Sequence, residues 1–355
     1  MHQGAVAVLQ QVYPDILLKT ACNFLAAGDK QHENQYGCQC KGLFHLSKYS
    51  PIRICFPAGT IAPRLFLRLS SYRALPILIG RVTSEPTVSV IIPSYNRYLL
   101  LAEAVESVRA QSFRDLELIV VDDGSDDETP LLAREPDIRY LRIEHSGMPG
   151  AVRNRGVEVA SGKYIAFLDS DDLWRPEKLE RQLPLLEADE SVPLVHTREE
   201  WLRGERTVSQ KSQRHRRSGD IFSDALWKCT IGPSTVLMRR ALFRELGGFD
   251  ETLEVAEDYE FWLRLTSRYP VAYIDEALTV KRAGEWDQLS AKYGQIEEFR
   301  IESLFRVLEL DRLPQDRRPE ALAMLEKKLA IWSVGALKRG KGPEVEAFTR
   351  RLARL

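Results

Sequence analysis

The sequence predicts an α/β fold with a mostly parallel central sheet and helices on both faces, and three observations carry that prediction. Between Val88 and Leu168, short β-branched runs alternate with segments of helical apolar spacing, the pattern of strand–helix–strand units. The first of them, Val88–Pro93, is apolar almost throughout, as strands covered on both faces are. Three of the runs end in polar clusters, and ligands of such sheets sit beyond the carboxyl ends of the strands.

Taken in order, Val88-Ser-Val-Ile-Ile-Pro93 is a buried strand ended by proline, followed by the polar cluster Ser94-Tyr-Asn-Arg97 and a helix from Tyr98 to Gln111. Leu116–Val121 is the second strand and ends in Asp122-Asp123-Gly124-Ser125, where Ser125 with Glu128 three residues on predicts a helix N-cap. Ile138–Ile143 is the third strand, Gly150–Ala160 a helix, and Lys163–Leu168 a fourth strand ending in Asp169-Ser-Asp171-Asp172. Ser234–Met238 reads as a strand of a second half. From Tyr293 to Leu355 the apolar spacing is helical, as at Ile296, Phe299, Leu304, Val307 and Leu308. Those helices are expected to pack on the main domain or to form a self-association surface, with an amphipathic, membrane-surface role for Leu322–Leu337 as the alternative.

Composition bounds the rest. A formal net charge of −1 points to neither nucleic acid nor an anionic surface as the dominant partner. Residues 1–80 differ from the remainder, with eight Lys/Arg against three Asp/Glu and four of the five cysteines: Cys22, Cys38, Cys40 and Cys55. With Cys229 alone in the main body, a reducing, cytoplasmic setting is expected rather than a disulfide framework. Cys38-x-Cys40 with His32 and His45 fits no common zinc spacing. Ile61–Ile79 is interrupted by Arg64, Arg68 and Arg73, too many charges for a bilayer span. The basic stretch of Lys211, Arg214, His215, Arg216 and Arg217 has no interleaved aromatics, so a mobile acceptor-side loop is expected there rather than a nucleic-acid site.

The clusters have plausible chemistry and plausible bland alternatives. Asp169 and Asp171 can reach a common divalent cation that also binds phosphate oxygens, or Asp172 caps the helix that begins near Pro176 and the others are solvated. Asp122 and Asp123 can accept hydrogen bonds from a base or ribose, or form a turn. Arg153 and Arg155, at a helix start, offer a fork for phosphate, or stay solvated. Glu257 and Asp258 stand in the first turn of a helix, where one carboxylate can act as a general base or simply complement the helix dipole. Trp201 and Trp227 can stack on a sugar or serve packing.

Together, Val88–Arg97, Val120–Ser125, Leu168–Trp174, Gly247-Gly-Phe-Asp-Glu251 and Glu257-Asp-Tyr-Glu-Phe-Trp262 resemble, in order and spacing, the motifs of family 2 of the glycosyltransferases, which have the GT-A fold. The resemblance covers about Val88 to Ser290. It implies an inverting, metal-dependent transfer of a sugar from a nucleotide-diphosphate donor, UDP-sugar favoured, to a hydroxyl of a sugar, lipid-linked or polymer acceptor, in cell-surface polysaccharide or glycolipid assembly. Carried over by position, Pro93, Tyr95 and Arg97 line the nucleotide pocket, Asp123 with Asp122 meets the base, and Arg155 assists there. Asp171 is the principal ligand of a Mg²⁺ or Mn²⁺ ion, with Asp169 near ribose and metal. Asp258 is the catalytic base and Glu257 its partner. One departure stands out: Glu285 occupies the place where related sequences often carry a histidine, which puts that side of the metal site in question.

The expected organisation is therefore an extension at 1–81, a GT-A domain at 82–290 with a nucleotide-binding half (88–175) and an acceptor half (176–290), and C-terminal helices at 291–355. The change of pattern near Val82 suggests a start codon there, with the preceding residues outside the mature chain. Peripheral contact with the inner face of the membrane and homo-oligomerisation are further expectations. A sugar nucleotidyltransferase or a dinucleotide-dependent dehydrogenase would need a glycine-rich phosphate loop after the first strand, and Ser94-Tyr-Asn-Arg97 has no glycine. The competing reading from another class is a catalytically silent sugar- or polymer-binding module of the same fold.

Overall fold

The computed structural model describes residues 85–204, 206–208, 216–283 and 296–355. The extension at 1–81, the basic residues Lys211, Arg214 and His215, and Glu285 lie outside the described residues.

The strands are β1 (Val88–Ser94), β2 (Leu116–Asp122), β3 (Ile138–Arg142), β4 (Tyr164–Phe167), β5 (Leu173–Trp174), β6 (Leu194–Arg203), β7 (Arg206–Val208), β8 (Leu237–Arg239) and β9 (Ala272–Ala283). They form one sheet of order β3-β2-β1-β4-β8-β6-β9-β5, with β7 paired to β6. The first four are parallel to one another. Beyond β4 the sheet is mixed: β8 runs antiparallel to β4 and β6, and β9 runs parallel to β6. The mostly parallel expectation thus holds for β1 to β4. The antiparallel β8 separates β4 from β6 in the sheet.

Strand alternation splits the core into two layers. Val88, Val90, Ile92, Leu118 and Val120 face helices α1 (Tyr98–Arg109) and α3 (Lys178–Ala188) through Leu101, Val105, Leu179 and Leu183. Ile91, Ile119, Val121, Ile165 and Phe167 face the other way. They meet α2 (Pro149–Val159), the two-turn α5 (Arg240–Glu245) and α6 (Glu257–Thr266) through Val152, Val157, Phe243, Phe261 and Trp262. A third cluster joins α4 (Phe222–Trp227) and α6 to the C-terminal helices α7 (Ile296–Glu309), α8 (Arg318–Lys338) and α9 (Gly342–Leu352). Phe222, Leu226, Tyr259 and Leu263 meet Ile301, Phe305, Leu325 and Trp332 there.

Two local expectations differ. Ser125 does not cap a helix: the segment is a 3₁₀ turn, Thr129–Arg134, with no side-chain cap. The Ser125 hydroxyl instead accepts the Asn96 N–H at 2.9 Å, clasping the loops after β1 and β2 together. Similarly, the strand expected from Ser234 begins only at Leu237, because Pro233–Thr235 forms a 3₁₀ turn.

Close packing of α2 on the sheet depends on Gly156, where an added Cβ would lie 2.4 Å from Ile91 Cγ2 and 3.1 Å from Val121 Cγ2. Gly156→Val is expected to lower the unfolding free energy by about 1–3 kcal/mol through overpacking, read by urea denaturation. A variant as stable as the wild type would show that the helix has room to retreat.

Candidate active site

The carboxyl ends of the parallel strands line up, Ser94 opposite Asp122 and Asp122 opposite Arg142. Against this edge lies a cavity of about 420 Å³. Of the expected residues, Pro93, Tyr95, Arg97, Asp123, Asp169 and Asp171 line it. His145, Arg153, Trp201, Lys281 and Arg282 line it as well.

In the cavity wall, Tyr95 stacks on His145 with ring centroids 4.0 Å apart. Asp123 holds the loop that carries His145. Its Oδ1 accepts the Ser146 N–H at 2.8 Å and hydroxyl at 2.9 Å, and its Oδ2 accepts the Gly147 N–H at 3.0 Å. The His145 Nδ1 lies 2.9 Å from the Asp123 carbonyl oxygen. Asp123 therefore shapes the wall as well as lining it.

Two expected nucleotide contacts are displaced. Asp122 is fully buried, and its carboxylate accepts the Ser125 N–H at 2.9 Å and the Tyr140 hydroxyl. Both oxygens are spent on joining β2 to β3 and to its own turn, which corrects its assignment to the base. Arg155 points outward to Glu158 and Glu251, at 2.5 and 3.5 Å. The arginine that enters the cavity is Arg153, because two residues along a helix turn the side chain to the other face. Arg153 falls on the buried stripe of α2 with Gly150 and Val157; helical spacing puts it on a different face from Arg155, and the packing of the helix decides which face is inward.

Arg153 ties the two halves of the site. Its Nη2 donates to Asp169 Oδ1 at 2.7 Å and its Nη1 to Glu257 Oε1 at 2.6 Å, and it is buried. Gly150 lets α2 approach this closely: a Cβ there would sit 3.0 Å from Glu257 Cγ. Asn154 fixes the neighbouring loop, bonding the Phe249 N–H at 3.0 Å and carbonyl at 2.9 Å. Ala256, immediately before the acidic pair, has a left-handed φ of 65°, which costs energy for a residue with a Cβ and persists only where the surroundings impose it.

The acidic turn after β4 is faced by cations. Lys281 Nζ lies 3.1 Å from Asp172 and 3.7 Å from Asp169, and Arg97 Nη1 lies 3.2 Å from Asp171. Burial opposes charge on Asp169, but Arg153 and Lys281 outweigh it and hold the carboxyl at about 2. Asp172 is pushed the other way by burial, with Asp169 and Asp171 adding to the push. It does not cap α3. Its Oδ2 accepts the Ser234 hydroxyl at 2.5 Å.

Glu257 and Asp258 stand beyond the Arg153 bridge and are not among the residues lining the cavity. Burial raises Glu257 to about 7, with Arg153 opposing and the Asp258 charge adding. Asp258 is raised by burial too. The Cys229 thiol, itself raised well above its usual range by burial, donates to Asp258 Oδ2 at 3.5 Å.

For a divalent cation the donor set fits only in part as protein. Among the described residues no group of three or more His, Cys, Asp and Glu side chains converges on one point. Mg²⁺ and Mn²⁺ are commonly held by one or two carboxylates and completed by substrate phosphate and water. Asp171, lining the cavity, suits that arrangement. Asp169 is engaged by Arg153 and Lys281.

An open α/β sheet with a cavity at its strand ends, a carboxylate-rich turn and a bridged acidic helix is the arrangement expected of a GT-A domain. The family model described as glycosyl transferase family 2 matches residues 89–247. An uncharacterized glycosyltransferase of Rickettsia felis is 35% identical over 206 residues, 57% of this chain and 34% of that one. The UDP-Glc:alpha-D-GlcNAc-diphosphoundecaprenol beta-1,3-glucosyltransferase WfgD of Escherichia coli is 32% identical over 181 residues, 50% of this chain and 69% of that one. The chain belongs to glycosyl transferase family 2. It spans about a third of the length of the Rickettsia felis relative. Among solved structures, the mannosyltransferase PcManGT from Pyrobaculum calidifontis, in complex with GDP-Man and Mn²⁺, shares the fold at a TM-score of 0.53 and 20% identity, covering 76% of this chain and 87% of that one.

The raised carboxyl of Glu257 gives a stability signature. A group whose folded pKa lies above its unfolded value near 4.5 contributes stability that is complete below that value and lost as pH rises through about 7. Glu257→Gln should therefore show a shallower fall in unfolding free energy across that window than the wild type. Identical pH slopes in urea titrations would mean that Glu257 ionises as an ordinary carboxyl.

Proposed function

We propose that this chain transfers a sugar from a nucleoside-diphosphate sugar to an acceptor hydroxyl with inversion, in the assembly of a cell-surface polysaccharide or glycolipid. The observation that carries the reading is the Arg153 bridge, which couples the acidic turn at Asp169 to the Glu257–Asp258 pair. That arrangement supplies a cation-lined leaving-group side and a carboxylate side within one connected network.

In the proposed reaction the base of the donor rests against Tyr95 and His145, and the diphosphate faces Arg97, Lys281 and Arg282. The acceptor oxygen attacks the anomeric carbon from the side away from the diphosphate. Its C–O bond forms as the bond to the diphosphate oxygen breaks, which inverts the centre. Asp258 takes the hydroxyl proton, and burial raises its proton affinity in the direction that suits a general base. Glu257 and Arg153 position it. A Mg²⁺ or Mn²⁺ ion, held by Asp171 with Asp169 behind it, would neutralise charge developing on the leaving diphosphate.

A uridine nucleotide is the donor favoured here, supported by the UDP-Glc named for the Escherichia coli relative. That relative's lipid-linked acceptor makes a diphospholipid-linked sugar a reasonable acceptor class for this chain. No helix among the described residues is long and apolar enough to cross a membrane. A cytoplasmic site reached by such an acceptor at the membrane surface is part of the proposal.

Asp258→Asn is expected to reduce donor turnover by roughly 10²–10⁴-fold, the usual worth of a general base, while leaving UDP binding intact. Equal turnover with Mn²⁺ present would favour a catalytically silent binding module. In a thermal-shift screen, UDP should raise the unfolding midpoint only when Mn²⁺ or Mg²⁺ is present, and Asp171→Asn should abolish that shift. A cation-independent shift by UDP in the wild type would remove the metal from the mechanism.

A further inference from the structure

The last turns of α8 are apolar on two opposite faces. Leu325, Leu329, Trp332 and Ala336 point into the third core cluster. Ile331, Val334 and Leu337 lie on the outer side, 60%, 60% and 58% exposed. A helix that is apolar all round is normally covered all round, and among the described residues nothing covers this stripe.

Its surroundings say what the cover is. Lys327 stands one turn before Ile331, and Lys338 one turn after Val334. Neither makes an ion pair among the described residues. At the Lys327 end lies Trp227, 48% exposed, with the Lys327 ammonium 4.6 Å above its ring. From Lys327 to Arg354 the chain holds eight Lys/Arg against two Asp/Glu, of which Lys328, Lys341, Arg350 and Arg351 are ion-paired within the protein. An aliphatic stripe bracketed by lysines, with an amphipathic aromatic at one end, matches the boundary between acyl chains and anionic headgroups. Four side chains fall far short of the roughly 800 Å² per partner that a stable protein interface takes.

We propose that the outer face of α8 at Ile331, Val334 and Leu337, with Trp227, Lys327 and Lys338, is a docking surface for an anionic lipid bilayer. Docking there is independent of sugar transfer, since none of these residues lines the cavity or belongs to the acidic pair. Tryptophan and the aliphatic residues enter the headgroup boundary, and the lysines meet lipid phosphates.

The test is cosedimentation of the full chain with vesicles of phosphatidylcholine, alone or mixed with phosphatidylglycerol. The wild type should sediment with the mixed vesicles and lose that association at high salt. Ile331→Glu/Val334→Glu should lower vesicle partitioning at least about tenfold, and Lys327→Glu/Lys338→Glu should remove the preference for the anionic lipid. Both variants should keep the wild-type unfolding midpoint and UDP response, because the changed positions are exposed and distant in role from the cavity. Three results would overturn the proposal. One is failure of the wild type to bind either vesicle. A second is equal binding by the Ile331→Glu/Val334→Glu variant. The third is a wild-type dimer by light scattering that this variant dissolves, which would make a second copy the cover.

Discussion

The site depends on a single buried guanidinium. Arg153 reaches Asp169 on one side and Glu257 on the other, with its side chain 8% exposed. Removing either carboxylate would leave a buried charge short of a partner, and breaking such a pair by removing one member typically costs about 3–5 kcal/mol. The two acids come from distant parts of the chain, one from the turn after β4 and one from the start of α6. The arginine thus makes the turn after β4 and the start of α6 a single electrostatic unit.

That unit needs support on both sides, and the packing supplies it. Gly150 and Asn154 on α2 bring the helix against Glu257 and the Phe249 loop. On the far side, the Ser303 hydroxyl on α7 donates to the carbonyl of Ala256 at 3.2 Å, at the residue held in the left-handed conformation. Ile301, Phe305 and Leu308 bury the same region with Tyr259 and Leu263. The C-terminal helices therefore brace the acidic turn of α6 while standing outside the family's motifs. The strain at Ala256 is offset by contacts made some fifty residues later in the chain.

Opposed titration behaviour follows from this geometry. Asp169, between Arg153 and Lys281, stays ionised, whereas Glu257 and Asp258 share one guanidinium and are driven towards their neutral forms by burial. Carboxylates whose environments push their proton affinities apart are the physical basis for assigning one to charge neutralisation and another to proton transfer. The Cys229 thiol, buried with a raised pKa, adds a hydrogen bond to Asp258. The structure thus gives that cysteine a contact with the candidate base.

What the sequence determined by itself was the strand–helix order, the polar edge and six residues of the cavity wall: Pro93, Tyr95, Arg97, Asp123, Asp169 and Asp171 all reach it. These residues follow strand ends directly, so the local pattern fixes their place. Only the tertiary structure decided that Arg153 rather than Arg155 faces inward and that Asp122 is consumed within the fold. It also decided that Lys281, more than a hundred residues from Asp169 in sequence, supplies the opposing charge. Helix rotation and the pairing of β9 beside β6 set those choices, and both arise from long-range packing that no local spacing records.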